Sequence, residues 1–353
     1  MDISGLRVAV TGGAGFIGSH LVDLLVERGG DVLVIDDFSV GSMENLERSA
    51  GRIDVRVNDI ADASALQGAF AGVDVVFHLA CCNLRESISD PLLSERVNAL
   101  GTLHVLHEAA NAGVQRFVHV SSSEVYGSAS GALITEQDAL APTTPYGASK
   151  LAGEMYAWTF HETYGMPTMV VRPFNAFGPR EHATGTSAEV IPRFVRWALT
   201  GEPLRVFGDG LQTRDFTWVG DTVRGILAAA ECDSMVGERV NIARGHEVSI
   251  LEVAHVVGAA LGVRPHIEFL PARPGDIRRH LASTQKARQL LGFEAEVAFE
   301  DGMRRYVTWV REQHGADTAR LDESEVINWT TPVPISGAVA LPSPEAVASL
   351  ASP

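Results

Sequence analysis

Cysteine is nearly absent from the chain. Cys81, Cys82 and Cys232 are the three in 353 residues. An odd, sparse set gives no disulfide framework, and there is no CxxC pair or His/Cys cluster to hold a metal. Reduced thiols in a cytoplasmic setting are the expectation, with the adjacent Cys81 and Cys82 read as packing. Basic residues are also in short supply. Lys and Arg number 28 against 44 Asp and Glu, for a net charge of -16. That balance argues against general nucleic-acid binding, which relies on phosphate neutralisation. It leaves room for a small anion in a locally positive pocket. No uninterrupted apolar run is long enough to span a bilayer, so no membrane partner is expected. The opening "MDISGLRVAV" lacks a basic region followed by a long apolar run, and reads as a strand rather than a signal peptide.

What is present is a core. The hydrophobic fraction is 46% and the charged fraction 20%, enough for one large domain or two modest ones. Short β-branched runs, "RVAVTG", "DVLVID", "IDVRV", "VDVVFHLA" and "QRFVHVSS", read as buried strands. Between them, "FIGSHLVDLLVERGG" and "PLLSERVNALGTLHVLHEAANAGV" have helical spacing and end near glycine. This alternation predicts an α/β fold: a doubly wound parallel sheet with helices on both faces and ligands at the carboxyl ends of its strands. After about Pro173 the rhythm loosens into a loop ("FGPREHATGTSAEV"), a helix ("VIPRFVRWALTG"), a strand ("LRVFGDG") and a further helix ("DGMRRYVTWVREQ"). We therefore expect a first domain over 1–173 to which later segments return, and a smaller mixed α/β substrate-binding lobe over 174–316. The Pro/Ala/Ser-rich end, 317–353, is expected to be a loosely ordered tail.

"VAVTGGAGFIGSH" follows the first strand and opens the first helix. It nests Gly13-x-Gly15-x-x-Gly18 with Gly12-x-x-Gly15-x-x-Gly18. Glycine permits a tight turn and lets backbone N–H groups approach a pyrophosphate, which the helix N-terminus attracts. Asp36 and Asp37 close the second strand at the distance expected for a carboxylate that binds the ribose diol. A carboxylate there repels a 2'-phosphate, which favours NAD over NADP. Asp59 and Ile60 after the third strand would sit near the adenine. Leu79 and Ala80 after the fourth, and Asn98 in the next helix, would line the cofactor's path.

"PYGASKLAGE" places Tyr146 and Lys150 one helical turn apart on one face. A neighbouring ammonium and a positive nicotinamide ring favour the phenolate, which takes a proton from a sugar hydroxyl. "VHVSSSEVYG" ends the fifth strand shortly before, so Ser122 would stand beside the nicotinamide and bridge the substrate oxygen and Tyr146. Strand-end serine followed by Tyr and Lys on the next helix is a coherent catalytic set.

With these motifs the chain resembles the extended short-chain dehydrogenase/reductase family, in its nucleotide-sugar epimerase/dehydratase branch. The likeness runs from about Leu6 to about Trp309. It rests on "TGGAGFIG" (with Phe16 and Ile17), "DD" at Asp36, "DI" at Asp59, "HLA" at His78, "SSSEVYG", "YGASK", "RPFNAFGP", "GDGLQTRDFTWVGD" and "RPGD". The resemblance implies a Rossmann domain, tightly held NAD and a UDP- or dTDP-sugar between two lobes. It implies catalytic roles for Ser122, Tyr146 and Lys150, and diphosphate binding by Asn175, Arg214 and Arg273. Amide and guanidinium donors suit a diphosphate. A homodimer is expected by analogy.

All members of this branch oxidise the sugar at C4, and the fate of the 4-keto sugar separates them. An epimerase returns hydride to the other face. A 4,6-dehydratase uses an Asp-Glu pair after the catalytic Thr, and a decarboxylase typically carries Thr/Ser-Ser-Glu. Here Ser122-Ser123-Glu124 replaces the dehydratase aspartate with Ser123. Glu124 is either a catalytic base or a non-reacting pocket residue. Arg180 and His182 would supply positive charge near a sugar carboxylate, or face solvent. Cys81-Cys82-Asn83 and Arg85 would reshape the sugar end of the pocket. The expectation is an NAD-dependent nucleotide-sugar 4-epimerase acting on a UDP-sugar such as UDP-glucose or UDP-glucuronate. A UDP-glucuronate decarboxylase, an NDP-sugar 4,6-dehydratase and a non-catalytic NAD-binding protein are the alternatives.

Overall fold

A computed structural model describes residues 1–128, 133–183, 188–272 and 277–314. The expected tail and Arg273 lie outside the described residues. Five strands fall where the β-branched runs are: β1 Arg7–Thr11, β2 Asp31–Asp36, β3 Ile53–Val57, β4 Val75–His78 and β5 Arg116–Val120. A sixth, β6 Thr168–Pro173, and a seventh, Arg239–Ile242, complete one sheet in which every pair is parallel. Its order is Arg239–Ile242, β6, β5, β4, β1, β2, β3. The order reverses between β1 and β4, so the strand ends there splay apart and leave a crevice, the switch point of a doubly wound sheet.

Two-residue periodicity explains both faces. Val8, Val10, Val32, Val34, Val75, Phe77, Val118 and Val120 enter one core with Leu21, Val22 and Leu25 of the Phe16–Glu27 helix and Ile226 and Leu227 of the Val219–Glu231 helix. The residues between them, Ala9, Leu33, Ile35, Val76 and Phe117, enter a second core. There they meet Val105, Leu106 and Ala109 of the Thr102–Ala112 helix, and Ala157 and Phe160 of the Pro145–Tyr164 helix. Strands buried on both faces must be apolar at every position, which is why they read as continuous runs. This is the Rossmann-type architecture expected.

A third core gathers the later elements. Phe194 and Trp197 of the Val190–Thr200 helix pack with Val253 and Val257 of the Ile250–Leu261 helix and Met303, Tyr306 and Val307 of the Phe299–His314 helix. Short strand pairs join them: Leu204–Phe207 with Ile267–Leu270, and Thr213–Asp215 with Glu247–Ser249. One sequence expectation is modified. The segment from Pro91 to Ala112 has the periodicity of one helix, but a π-helical turn over Glu95–Gly101 interrupts it. The extra residue in that turn swings Asn98 inward. Among the described residues no helix is long and apolar enough to cross a membrane.

Candidate active site

A cleft of about 760 Å³ opens at the switch point and runs to the third core. Its floor is built from the ends of β1, β2, β4 and β5. At one end lies the glycine turn. Gly12 has φ +69°, and a Cβ there would stand 2.5 Å from the backbone nitrogen of Ala80, so a side chain fits neither the conformation nor the space. A Cβ on Gly18 would meet the Gly12 carbonyl at 2.0 Å. Gly15 begins the Phe16–Glu27 helix without a side-chain cap, and a Cβ there would touch only the Gly12 carbonyl. The bare helix N-terminus therefore faces the cleft with its N–H groups open to an anion.

Asp36 ends β2 and is 7% exposed. It accepts N–H bonds from Ala14 of the turn and from Phe38, each at 2.9 Å. Burial raises its pKa and these bonds oppose the rise. Asp37 accepts from Ser39, and Asp59 accepts from the Ala61 N–H. Both line the cleft, as do Phe16, Ile17, Ile60, Leu79 and Ala80. Glycine turn, uncapped helix and strand-end carboxylate together fit a dinucleotide.

Asn98 does not line the cleft. It is wholly buried in the π-helical turn. Its Oδ1 accepts from the Cys82 N–H at 2.8 Å, and its Nδ2 donates to the Cys82 carbonyl at 3.1 Å and to Ser149 at 3.0 Å. Its amide is used to clamp the β4 exit loop to the Pro145–Tyr164 helix.

The sequence explains the second half of the site. β5 ends at Val120, and Ser122 caps a 3₁₀ turn, Ser123–Tyr126, by accepting the Glu124 N–H at 3.2 Å. Thr144 caps the Pro145–Tyr164 helix by accepting the Gly147 N–H at 3.1 Å, with Pro145 at the first helical position. The Tyr146 N–H donates to Ser87 at 3.1 Å. This sets the Ser122 hydroxyl near the Tyr146 phenol, where it favours the phenolate. Lys150, 1% exposed, donates to the Val120 carbonyl at 2.7 Å.

Burial pushes the Tyr146 phenol well above its ordinary value. Cys81, Glu124 and Cys82 push the same way, and the Ser122 bond opposes them. Burial lowers Lys150. The protein's own groups thus hold the tyrosine protonated. The phenolate favoured by the sequence argument needs further positive charge, of the kind an oxidised nicotinamide brings.

Ser123, Asn175, Arg214, Arg85 and His182 also line the cleft. Asn175 Oδ1 and Ser121 Oγ are buried without a hydrogen-bond partner among the described residues, and both residues lie on the cleft wall. Arg214 donates to the carbonyls of Thr213 and Ile277. Arg180 is not in the wall. Its guanidinium turns to Asp23 on the first helix, at 2.8 Å. Burial lowers the His182 pKa, leaving a neutral ring. The positive charge expected from these two is therefore not assembled. Sequence reasoning missed the apolar wall of Phe194, Trp197, Phe207 and Phe216. Residues 191–197 are all buried, so no periodicity separates the cleft face from the core face. It also missed Arg193 and Arg205, whose guanidinium carbons lie 4.8 and 5.3 Å from the Trp197 ring.

Residues 9–306 match the family model described as GDP-mannose 4,6 dehydratase. The chain belongs to the nucleotide-sugar epimerase/dehydratase branch of the extended short-chain dehydrogenase/reductase family. It is 36% identical over 312 residues to a UDP-glucose 4-epimerase of Mycolicibacterium smegmatis, covering 87% of this chain and 99% of that one. The crystal structure of a Thermotoga maritima UDP-glucose 4-epimerase with UDP-glucose superposes with a TM-score of 0.83 at 33% identity, over 87% of this chain and 99% of that one. A dTDP-glucose 4,6-dehydratase from Streptomyces venezuelae, with NAD bound, gives 0.82 at 34%, over 88% and 98%.

Proposed function

We propose that the protein is an NAD-dependent nucleotide-sugar 4-epimerase acting on a UDP-sugar. The observation that carries this reading is that Ser122, Tyr146 and Lys150 line one cleft that begins at a dinucleotide-type glycine turn, with Lys150 fixed on the Val120 carbonyl. The epimerase relatives at 36% and 33% identity support it. NAD would be held by the bare helix N-terminus at Gly15, by Asp36 at the ribose, and by Asp59, Ile60, Leu79 and Ala80. Held there, it would supply the hydride acceptor and donor for the sugar's C4. Tyr146 takes the C4 hydroxyl proton and gives it back. Ser122 relays between the phenol and the sugar oxygen. Lys150, fixed on Val120, brings positive charge to that end of the cleft. Asn175, Arg214 and, outside the described residues, Arg273 are assigned to the diphosphate. The first 173 residues with their returning segments would bind the cofactor, and 174–316 the sugar nucleotide.

Ser123 stands in the place of the aspartate that a dehydratase uses on a leaving hydroxyl, which disfavours 4,6-dehydration. We assign a homodimer through the Pro145–Tyr164 helix, where Met155, Trp158 and Tyr164 are exposed, and a cytoplasmic setting in keeping with three free thiols. The test is a product screen with UDP-glucose, UDP-N-acetylglucosamine, UDP-glucuronate and dTDP-glucose, followed by chromatography with mass detection. A new peak of unchanged mass is expected, lost in Tyr146→Phe by a factor on the order of 10³ while NAD stays bound. A product lighter by water or carbon dioxide would refute the reading.

A further inference from the structure

We propose that Ser87 is a positioning residue for the reaction, which holds the backbone of Tyr146 so that the phenol stands near Ser122. The proposal rests on the assignment of Tyr146 as the proton-transfer group. The first N–H groups of a helix have no partner within it. In the Pro145–Tyr164 helix, Pro145 has no N–H to place, and the Gly147 N–H goes to Thr144. The Tyr146 N–H goes instead to the Ser87 hydroxyl at 3.1 Å, from 59 residues away in the chain. That hydroxyl gives its own proton to the Leu84 carbonyl at 2.6 Å, which leaves a lone pair for Tyr146. Ser87 is wholly buried. On the other side of the tyrosine, its carbonyl accepts the Ser149 hydroxyl at 3.0 Å, and Ser149 meets Ser94 at 2.9 Å. Hydroxyl groups thus hold the Tyr146 backbone at both its N–H and its carbonyl.

The need for such a hold follows from where the tyrosine stands. It is the second residue of its helix, and the ends of helices fray. Lys150 lies a full turn further in and has its own anchor on Val120. A phenol that takes and returns one proton must stay within hydrogen-bond reach of its partners. A shift of about 1 Å can cost on the order of a hundredfold in rate. Ser87 supplies the hold from a well-fixed neighbour. The Leu84–Ser89 helix is capped by Asn83, which accepts the Glu86 N–H at 3.0 Å. The loop before it is clamped by Asn98, which bonds both the N–H and the carbonyl of Cys82. Leu84, Arg85, Glu86 and Ile88 of this short helix line the cleft, whereas Ser87 turns to the Pro145–Tyr164 helix. The ligand wall and the proton-transfer group therefore share one hydrogen bond. Losing that bond frees the phenol to drift from Ser122, which lowers its pKa against the rise caused by burial.

The experiment compares the NAD-loaded wild type with Ser87→Ala and Ser87→Thr. It reads amide hydrogen exchange at Tyr146, binding of NAD and of the sugar nucleotide by calorimetry, and the pH dependence of the rate at which reduced cofactor absorbs after mixing. The sugar nucleotide is the one from the product screen that gives the largest absorbance rise. That rise reports the first half of the reaction, whatever product follows. In Ser87→Ala the Tyr146 amide should exchange at least about tenfold faster. The rate should fall about tenfold or more, with binding of both ligands kept within about twofold. Its acid limb should move to higher pH, because the phenol loses the help of Ser122. Ser87→Thr keeps the hydroxyl and should restore most of the rate. A rate for Ser87→Ala within about twofold of wild type overturns the proposal. So does a loss that is equal at every pH and follows the melting temperature, which is what a purely structural serine would give. A loss left unrepaired in Ser87→Thr, at an unchanged melting temperature, also overturns it. A final product of changed mass would sink the epimerase reading and leave the Ser87 result standing.

Discussion

Glu154 lies one turn beyond Lys150 on the Pro145–Tyr164 helix and is 1% exposed. It accepts two hydrogen bonds from Arg172 on β6, from Nε at 2.8 Å and Nη2 at 2.6 Å. Arg172 is completely buried. Its third donor reaches the Tyr126 hydroxyl at 2.7 Å, which donates to Asn241 at 2.7 Å. Burial lowers the pKa of this guanidinium, but the bonds and charge of Glu154 outweigh it and leave it above its ordinary value. Glu154→Gln removes one charge and nearly no volume. It leaves the buried cation without its counter-charge and with one acceptor fewer, which costs about 3–5 kcal/mol. For a chain of this size that is roughly 2 °C per kcal/mol, a fall in Tm of roughly 6–10 °C. Urea denaturation with matched m-values measures it. The double variant Glu154→Leu/Arg172→Met removes both charges and should recover more than half of the loss, because an apolar pair of similar volume is not penalised. A loss below about 1 kcal/mol in Glu154→Gln would refute the reasoning, because it would mean water reaches the pair.

Two further predictions follow from the geometry. Burial holds His78 at a pKa of about 3, between the hydroxyls of Thr11 at 2.7 Å and Thr102 at 2.9 Å. The folded value lies below the unfolded one near 6.5, so the unfolded chain binds the proton first as pH falls. The contribution is intact above pH ~6.5 and is lost progressively toward pH ~3, the loss amounting to roughly 2 kcal/mol at pH 5. Asp215, raised to about 6 by burial, works in the opposite sense over part of that window. The test is therefore the difference between wild type and His78→Asn in urea at pH 7 and pH 5, and a difference that does not change with pH would contradict the assignment. In the glycine turn, Gly12→Ala puts a methyl against Ala80 at a positive φ. It should lower Tm and weaken NAD binding at least tenfold by calorimetry, and wild-type affinity would show that the turn does not shape the pocket.

Much of the fold was legible because period-two and period-3.6 patterns alternate cleanly through the first 120 residues. β6 was less visible because Arg172 stands in an otherwise apolar run, and its charge has meaning only beside Glu154. Arg239–Ile242 follows a long excursion, and nothing local in "RVNI" says that it returns to the first sheet. At the site, the glycine turn, Asp36, Ser122, Tyr146 and Lys150 were legible because each sits at a fixed offset from a strand end or helix start. Asn98 and Arg180 were misplaced because their side-chain directions depend on distant residues. A π-helical turn sends Asn98 into the packing, and Asp23 pulls Arg180 off the wall. Arg85 was legible as a pocket residue, but its partner 104 residues away was not.

The stretch that separates the reactions of this family, Ser122-Ser123-Glu124, does its structural work through the backbone. The Glu124 N–H fixes the Ser122 hydroxyl, and its carbonyl accepts the Gly127 N–H at 3.2 Å. A Cβ on Gly147 would stand 2.7 Å from that same carbonyl. The 3₁₀ turn therefore rests directly on the first turn of the Pro145–Tyr164 helix, and glycine at 147 is what permits the approach. That contact sets the Ser122 hydroxyl against the Tyr146 phenol. The Glu124 carboxylate acts separately. It raises the Tyr146 pKa, which opposes the loss of the phenol proton and favours its return. An enzyme that must take a proton from the C4 hydroxyl and restore it needs a group poised between the two directions. Glu124 with Cys81 on one side, and Ser122 with an oxidised nicotinamide on the other, provide opposing pulls of that kind. The glutamate can thus tune the tyrosine without touching the C5 proton, and its presence is compatible with a reaction that ends at the epimer.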